Sequence, residues 1–154
     1  MRDAEYARTP KINDSKIMQG EQEKYNELAF YTLDHKDPAF IHQNIVDAFC
    51  AQNADCNTKP IAITFALLGL YLFLEKGFTG RQVQLAHMEL AKKKIAWPKL
   101  VFPEDRGRVT VLDVLSIPAG PDRDNMIRKW CACVWEAWKN NKPQIISYLK
   151  EGGI

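Results

Sequence analysis

The sequence predicts an all-α fold, a compact multi-helix bundle built around a nearly all-apolar central helix. Three observations carry this. Every long segment repeats its apolar residues with a period near 3.6. Two Thr-x-x-Gln/Asp capping boxes, Thr79 with Gln82 and Thr110 with Asp113, mark helix starts. The run PIAITFALLGLYLFL, Pro60 to Leu74, has no charge over fifteen residues. A helix with no polar face must be surrounded by others.

Residues 1–20 alternate charges with small polar residues and predict a loose N-terminal arm, leaving 21–154 as one domain. A first helix is expected over Glu21 to Leu33, with Tyr25, Leu28, Ala29 and Thr32 at helical spacings and Asp34, His35 and Lys36 closing it. Asp37 and Pro38 predict a restart: aspartate accepts from a free backbone N–H, and proline loses nothing at the first helical position. The second helix carries Ile41, Ile45, Ala48 and Phe49 on one side and ends near Asn53, before a polar turn with Cys56 and Asn57.

Thr58 and Pro60 open the apolar helix, and Gly77 stands where a left-handed cap would end it. Gly69 in its middle is unfavourable by about 1 kcal/mol relative to alanine, which predicts a close neighbour there. The fourth helix runs from the Thr79 box to about Lys94. Trp97, Pro98 and Pro103 then predict an irregular link, because each proline disfavours helix at the residue before it. VTVLDV is the one strand-like piece, but its capping box argues for a short helix ending before Pro118. PAGPDRD is a turn with a new start near Asp122, after which Ile127, Trp130, Val134 and Ala137 share a face. Asn140 and Asn141 interrupt, and Pro143 starts a terminal helix closed by Gly152.

At 154 residues the chain is large enough for one substantial core. A net charge of +2, from 21 basic and 19 acidic residues well mixed along the chain, argues against a nucleic-acid partner. Lys92, Lys93 and Lys94 suit the negative end of a helix dipole. The apolar run is shorter than the roughly twenty residues of a membrane span, so no membrane partner is expected. Residues 1–16 lack the apolar core of a signal peptide, and the four cysteines lack the spacing of a disulfide or zinc framework. Both readings predict a cytoplasmic protein with reduced thiols.

The best stretch for a site is HQNIVDAFCAQ, His42 to Gln52. On a helical wheel Gln52 falls between Ile41, Ile45 and Ala48, so its amide points to the core side. Left unpaired there it would cost about 1 to 3 kcal/mol, so it needs either a loop backbone partner or a polar pocket at the helix end. His42 lies at the edge of the same face. Asp47 points roughly opposite to Ile45 and is expected to touch another element or to be solvated.

A pocket is therefore expected where the second helix meets the apolar one, with Gln52 inside, His42 at the rim and Asp47 as a further candidate. His35, His42 and His87 make an alternative metal set, since imidazoles from facing helices can hold a transition metal, although no HExxH or Glu-x-x-His pair is present. Glycine-rich phosphate loops and nucleophile elbows are absent. Cys50 has His42 and Asp47 only loosely nearby, and of Trp130, Trp135 and Trp138, which could stack a ligand, Trp130 and Trp138 lie two turns apart at the spacing of core.

HQNIVDAFCAQ, ALLGLYLFLEKG, the WPKLVFP link, TVLDV and the WEAW helix together resemble the DUF5946 family, small prokaryotic proteins of unknown function, over His42 to Trp138. Family members commonly follow the glutamine with His-Pro, where this chain has Asn53 and Ala54, and many have an N-terminal cysteine pair without a counterpart here. The resemblance implies no activity. It places the shared polar positions at the second helix. The functional expectation is a ligand-binding or protein-interaction module with no cofactor, taking a small molecule or a second copy of itself. The alternative is a small metal-dependent enzyme using His42, Gln52 and His87.

Overall fold

A computed structural model describes residues 20–34 and 36–154. The predicted arm therefore lies outside the described residues except for Gly20, and so does His35. The chain forms a compact all-helical bundle: α1 (20–34), α2 (His42–Asn53), α3 (Pro60–Glu75), α4 (Gly80–Ala91), α5 (Val111–Leu115), α6 (Pro121–Trp138), a 3-10 turn at Lys139–Asn141, and α7 (Lys142–Glu151). No described residue is in a strand, so VTVLDV follows its capping box. Both predicted boxes are complete, each threonine accepting from a backbone N–H while Gln82 or Asp113 reaches back to the cap.

The start of α2 departs from the prediction. Asp37 does accept backbone N–H groups, from Ala39 and Ile41 at 2.9 Å each, but the helix begins only at His42. Phe40 sits between them in the left-handed region at φ +57°, which breaks the helical run. Tertiary contact holds it there. The Arg81 N–H donates to the Ala39 carbonyl at 2.8 Å, and the Phe40 carbonyl fills the space a side chain on Gly80 would need. Packing of the 37–41 turn onto the start of α4 thus overrides the local start signal.

In α3 every residue from Ile63 to Leu72 except Phe65 is buried, whereas Ile61 in the first turn is 39% exposed. The helix packs against α2, α4, α6 and α7. Trp130 and Trp138 from α6 are fully buried beside Ile45, Leu67, Leu68 and Ile145. At the end of α3, Gly77 adopts φ +71° and the Phe78 N–H reaches back to the Leu72 carbonyl at 2.9 Å, as the predicted cap requires. No described helix is long and apolar enough to cross a membrane.

Candidate functional site

Asp47, the one acidic residue of α2, is 3% exposed, so of its two expected fates contact with another element is the one found and solvation is not. Its Oδ1 accepts from the Gln43 amide one helical turn earlier at 3.1 Å. Its Oδ2 has no hydrogen-bond partner among the described residues and lies over Gly69 of α3, in the space a β-carbon there would fill. Glycine at 69 therefore makes room for an inward carboxyl that α2 could not otherwise bury. Burial holds the Asp47 pKa well above the ordinary carboxylate range, with the Gln43 hydrogen bond opposing the shift only in part. Asn44 Nδ2 and Thr64 Oγ1 are two further buried polar atoms with no partner among the described residues.

Gln52 uses its whole amide within the protein. Nε2 donates to the carbonyls of Val109 (2.7 Å) and Arg106 (3.2 Å), and Oε1 accepts from Trp130 Nε1 at 2.9 Å. Of the two expectations for this residue, the loop backbone partner is the one found. Arg106 returns the contact, donating through Nη1 to the carbonyls of Ala54 (2.7 Å) and Ala51 (3.2 Å) at the end of α2. Its guanidinium stands 4.9 Å from the centre of the Trp138 ring. Gln52 and Arg106 thus form a reciprocal clamp between the end of α2 and the 106–109 loop, and the arginine supplies the cation that α2 lacks in its own last turn.

The described histidines do not converge on a metal site. His42 Nδ1 lies 2.9 Å from Thr32 Oγ1, whose own proton goes to the Ala29 carbonyl at 3.0 Å. With the hydroxyl proton on the Ala29 carbonyl, the matching tautomer of His42 donates through Nδ1. His87 Nε2 lies 2.8 Å from the Phe65 carbonyl, which can only accept, so this imidazole carries its proton on Nε2 while stacking on the Phe65 ring at 5.0 Å. Burial lowers the pKa of both. Among the described residues no group of three His, Cys, Asp or Glu side chains could hold a metal ion, and the His35 part of the predicted set lies outside them.

Cys50 and Cys131 are poor nucleophiles by environment. Burial, with Asp47 adding to it, raises the Cys50 pKa to about 11 and that of fully buried Cys131 further. Cys50 donates to the Ala62 carbonyl rather than to a base.

Sequence reasoning missed an apolar cleft at the far end of the bundle's longest apolar helix. A cleft of about 280 Å³ lies between the end of α3 and α7, walled by Tyr71, Leu72, Phe78, Ile146, Leu149 and Ile154, with Lys76 and Lys150 also lining it. The signal available was two glycines at helix ends, Gly77 and Gly153, each followed by a large apolar residue.

No curated protein and no solved structure matches this chain. Residues 19–139 match a family of unknown function, DUF5946, a longer span than the motifs alone suggested. The matched segment takes in α1 to α6, with the Asp47–Gly69 contact and the Gln52 clamp inside it and α7 beyond it, and the chain belongs to this family.

Proposed function

We propose that this protein is a small binding module that recognises a small molecule at the cleft between α3 and α7. The cleft itself carries the reading: it is half-enclosed with largely apolar walls, while Gln52, His42 and His87, the side chains the sequence offered for chemistry, each hold an internal hydrogen bond. In this reading α3 is the organising, nearly all-apolar helix of the bundle, and its C-terminal turn forms one wall of the site. A fragment screen by methyl NMR tests it. Saturable shifts at Ile146 and Ile154 support binding at the cleft. Fragments that bind only beside His42 and Asp47 would move the site to α2.

A second reading, an enzyme centred on α2, is favoured by one observation: Asp47 Oδ2 is buried and unpartnered among the described residues. A carboxyl that keeps its proton above the ordinary range can serve as a general acid. That reading requires substrate to reach Asp47, with His42 at the entrance. An Asp47→Asn variant that folds like the wild type but no longer turns over a substrate found by activity screening would support it.

A further inference from the structure

We propose that the protein carries a second site, a shallow groove for a proline-rich peptide segment, on the face of α7 turned away from the α3–α7 cleft. The groove, about 260 Å³, lies between the 96–98 stretch of the link and Gln144, Ser147, Tyr148 and Glu151 of α7, and it shares no residue with the cleft. Trp97 builds one wall. Its ring lies within 12° of parallel to that of buried Tyr148, with centroids 5.9 Å apart, and Phe65 meets it edge-on at 6.3 Å. The indole is thereby held in place while Trp97 stays 44% exposed, so binding need not order it. Its N–H is the unused donor. Trp130, Trp135 and Trp138 donate theirs to Gln52, Glu75 and the Ala51 carbonyl, whereas that of Trp97 has no partner among the described residues. An indole N–H can only donate, so an occupant is recognised through an acceptor.

Shape, length, chemistry and charge all select this class. Trp97, Gln144, Ser147 and Glu151 are exposed, so the walls are too low to enclose a compact small molecule, whose surface ordinary sites bury by ~70 to 90%. A polyproline II chain is already extended before it binds, so a shallow contact holds it where a flexible chain would lose more entropy. Gln144 to Glu151 is two turns of α7, roughly 10 Å long, and one turn of polyproline II is about 9 Å. Proline residues present ring faces and carbonyls with no internal hydrogen bond, and they have no N–H of their own, which matches aromatic walls and a donor. Glu151 is the one charged side chain lining the groove among the described residues. Beyond it, the carboxylate of Ile154 and the negative end of α7 are offset by Lys93, which donates to the Gly152 carbonyl, and by Lys94, Lys99 and Lys150. With both signs around it, the groove fits an uncharged chain.

Decaproline with both ends blocked is the probe, titrated into the full chain while the indole N–H signals of the tryptophans are followed by NMR, with a blocked Gly-Ser peptide of equal length as the flexible control. The expected result is a saturable shift of the Trp97 signal, with the three internally bonded indoles unmoved, no response to the Gly-Ser peptide, and the same affinity at low and high salt. Trp97→Phe keeps a ring and removes the donor, so decaproline should bind roughly threefold to tenfold more weakly, read at the Ser147 and Glu151 amides. Ser147→Arg, at an exposed position where melting should match the wild type, fills the groove and should abolish the Trp97 shift. Equal responses to the two peptides, or no saturable shift with decaproline, overturn the proposal. So does a Trp97 shift that a linear oligosaccharide such as cellopentaose elicits and decaproline does not, which assigns the groove to a carbohydrate. None of these outcomes bears on the α3–α7 cleft, whose reading is tested at the Ile146 and Ile154 methyls.

Discussion

Asp47 Oδ2 occupies the place where Gly69 would carry a β-carbon, so a carboxyl on α2 and a missing side chain on α3 form one packing unit. The Asp47 Cγ would lie 2.8 Å from that β-carbon and Val83 Cγ1 3.1 Å, so the site is closed from α4 as well. Gly69→Ala should therefore destabilise the fold by on the order of 1 to 3 kcal/mol, although helix propensity alone favours alanine by about 1 kcal/mol. In an Asp47→Ala background the same substitution should lose most of its penalty. A denaturant double-mutant cycle checks this: additive effects would mean that the two residues do not share the space.

The raised Asp47 pKa predicts a pH dependence with a definite sign. In the unfolded chain aspartate titrates near 3.9, whereas the folded protein holds the proton to higher pH. Between those two values the native state binds more protons than the unfolded state, so the contribution of this group is full below about pH 3.9 and is lost as pH rises through the folded pKa. Asp47→Asn keeps the acceptor for Gln43 and removes the titration. Its stability relative to the wild type should grow by about 1.4 kcal/mol per pH unit across that window. Urea midpoints of both proteins between pH 4 and 8 measure it, and parallel curves would exclude the buried titration.

Thiol modification should follow exposure. Cys56 is exposed, Cys50 is half-buried with its pKa near 11, and Cys131 is fully buried. With iodoacetamide at pH 8, intact mass and peptide mapping should find Cys56 alkylated well before Cys50, and Cys131 only after denaturant is added. Early alkylation of Cys131 would show that α6 opens locally from α2, where its thiol now donates to the Asn44 carbonyl at 3.5 Å.

Local signals carried most of the fold. Both capping boxes, the Gly77 cap and the close approach at Gly69 depend on residues within a few positions or on a single missing side chain, so one sequence is enough to read them. The start of α2 was misplaced because Arg81 and Gly80, some forty residues away, hold Ala39 and Phe40. The site was less legible for the same reason. A helical wheel shows that Gln52 faces inward, but not that Arg106, Val109 and Trp130 will meet it, and it cannot choose between contact and solvent for the far side of α2, which Gly69 and Val83 cover. The cleft unites α3 with α7, a pairing with no sequence period to announce it.

The Gln52–Arg106 clamp gives the last prediction. Gln52→Leu keeps the bulk of the side chain but leaves the Trp130 indole N–H, on a residue with no exposed surface, without its acceptor, and frees two loop carbonyls. A buried group left unsatisfied is unfavourable by about 1 to 3 kcal/mol, so a loss of at least that size is expected. Arg106→Lys should also destabilise, since an ammonium on a flexible stem cannot replace the planar guanidinium that reaches two α2 carbonyls from above the Trp138 ring. Because both residues fasten the same loop, the double variant should lose less than the sum of the two. Strict additivity in chemical denaturation would show that each bond acts alone. Hydrogen exchange at Gly107 to Val109 separates the causes: faster exchange in both single variants, with α3 amides unchanged, is the signature of a released loop.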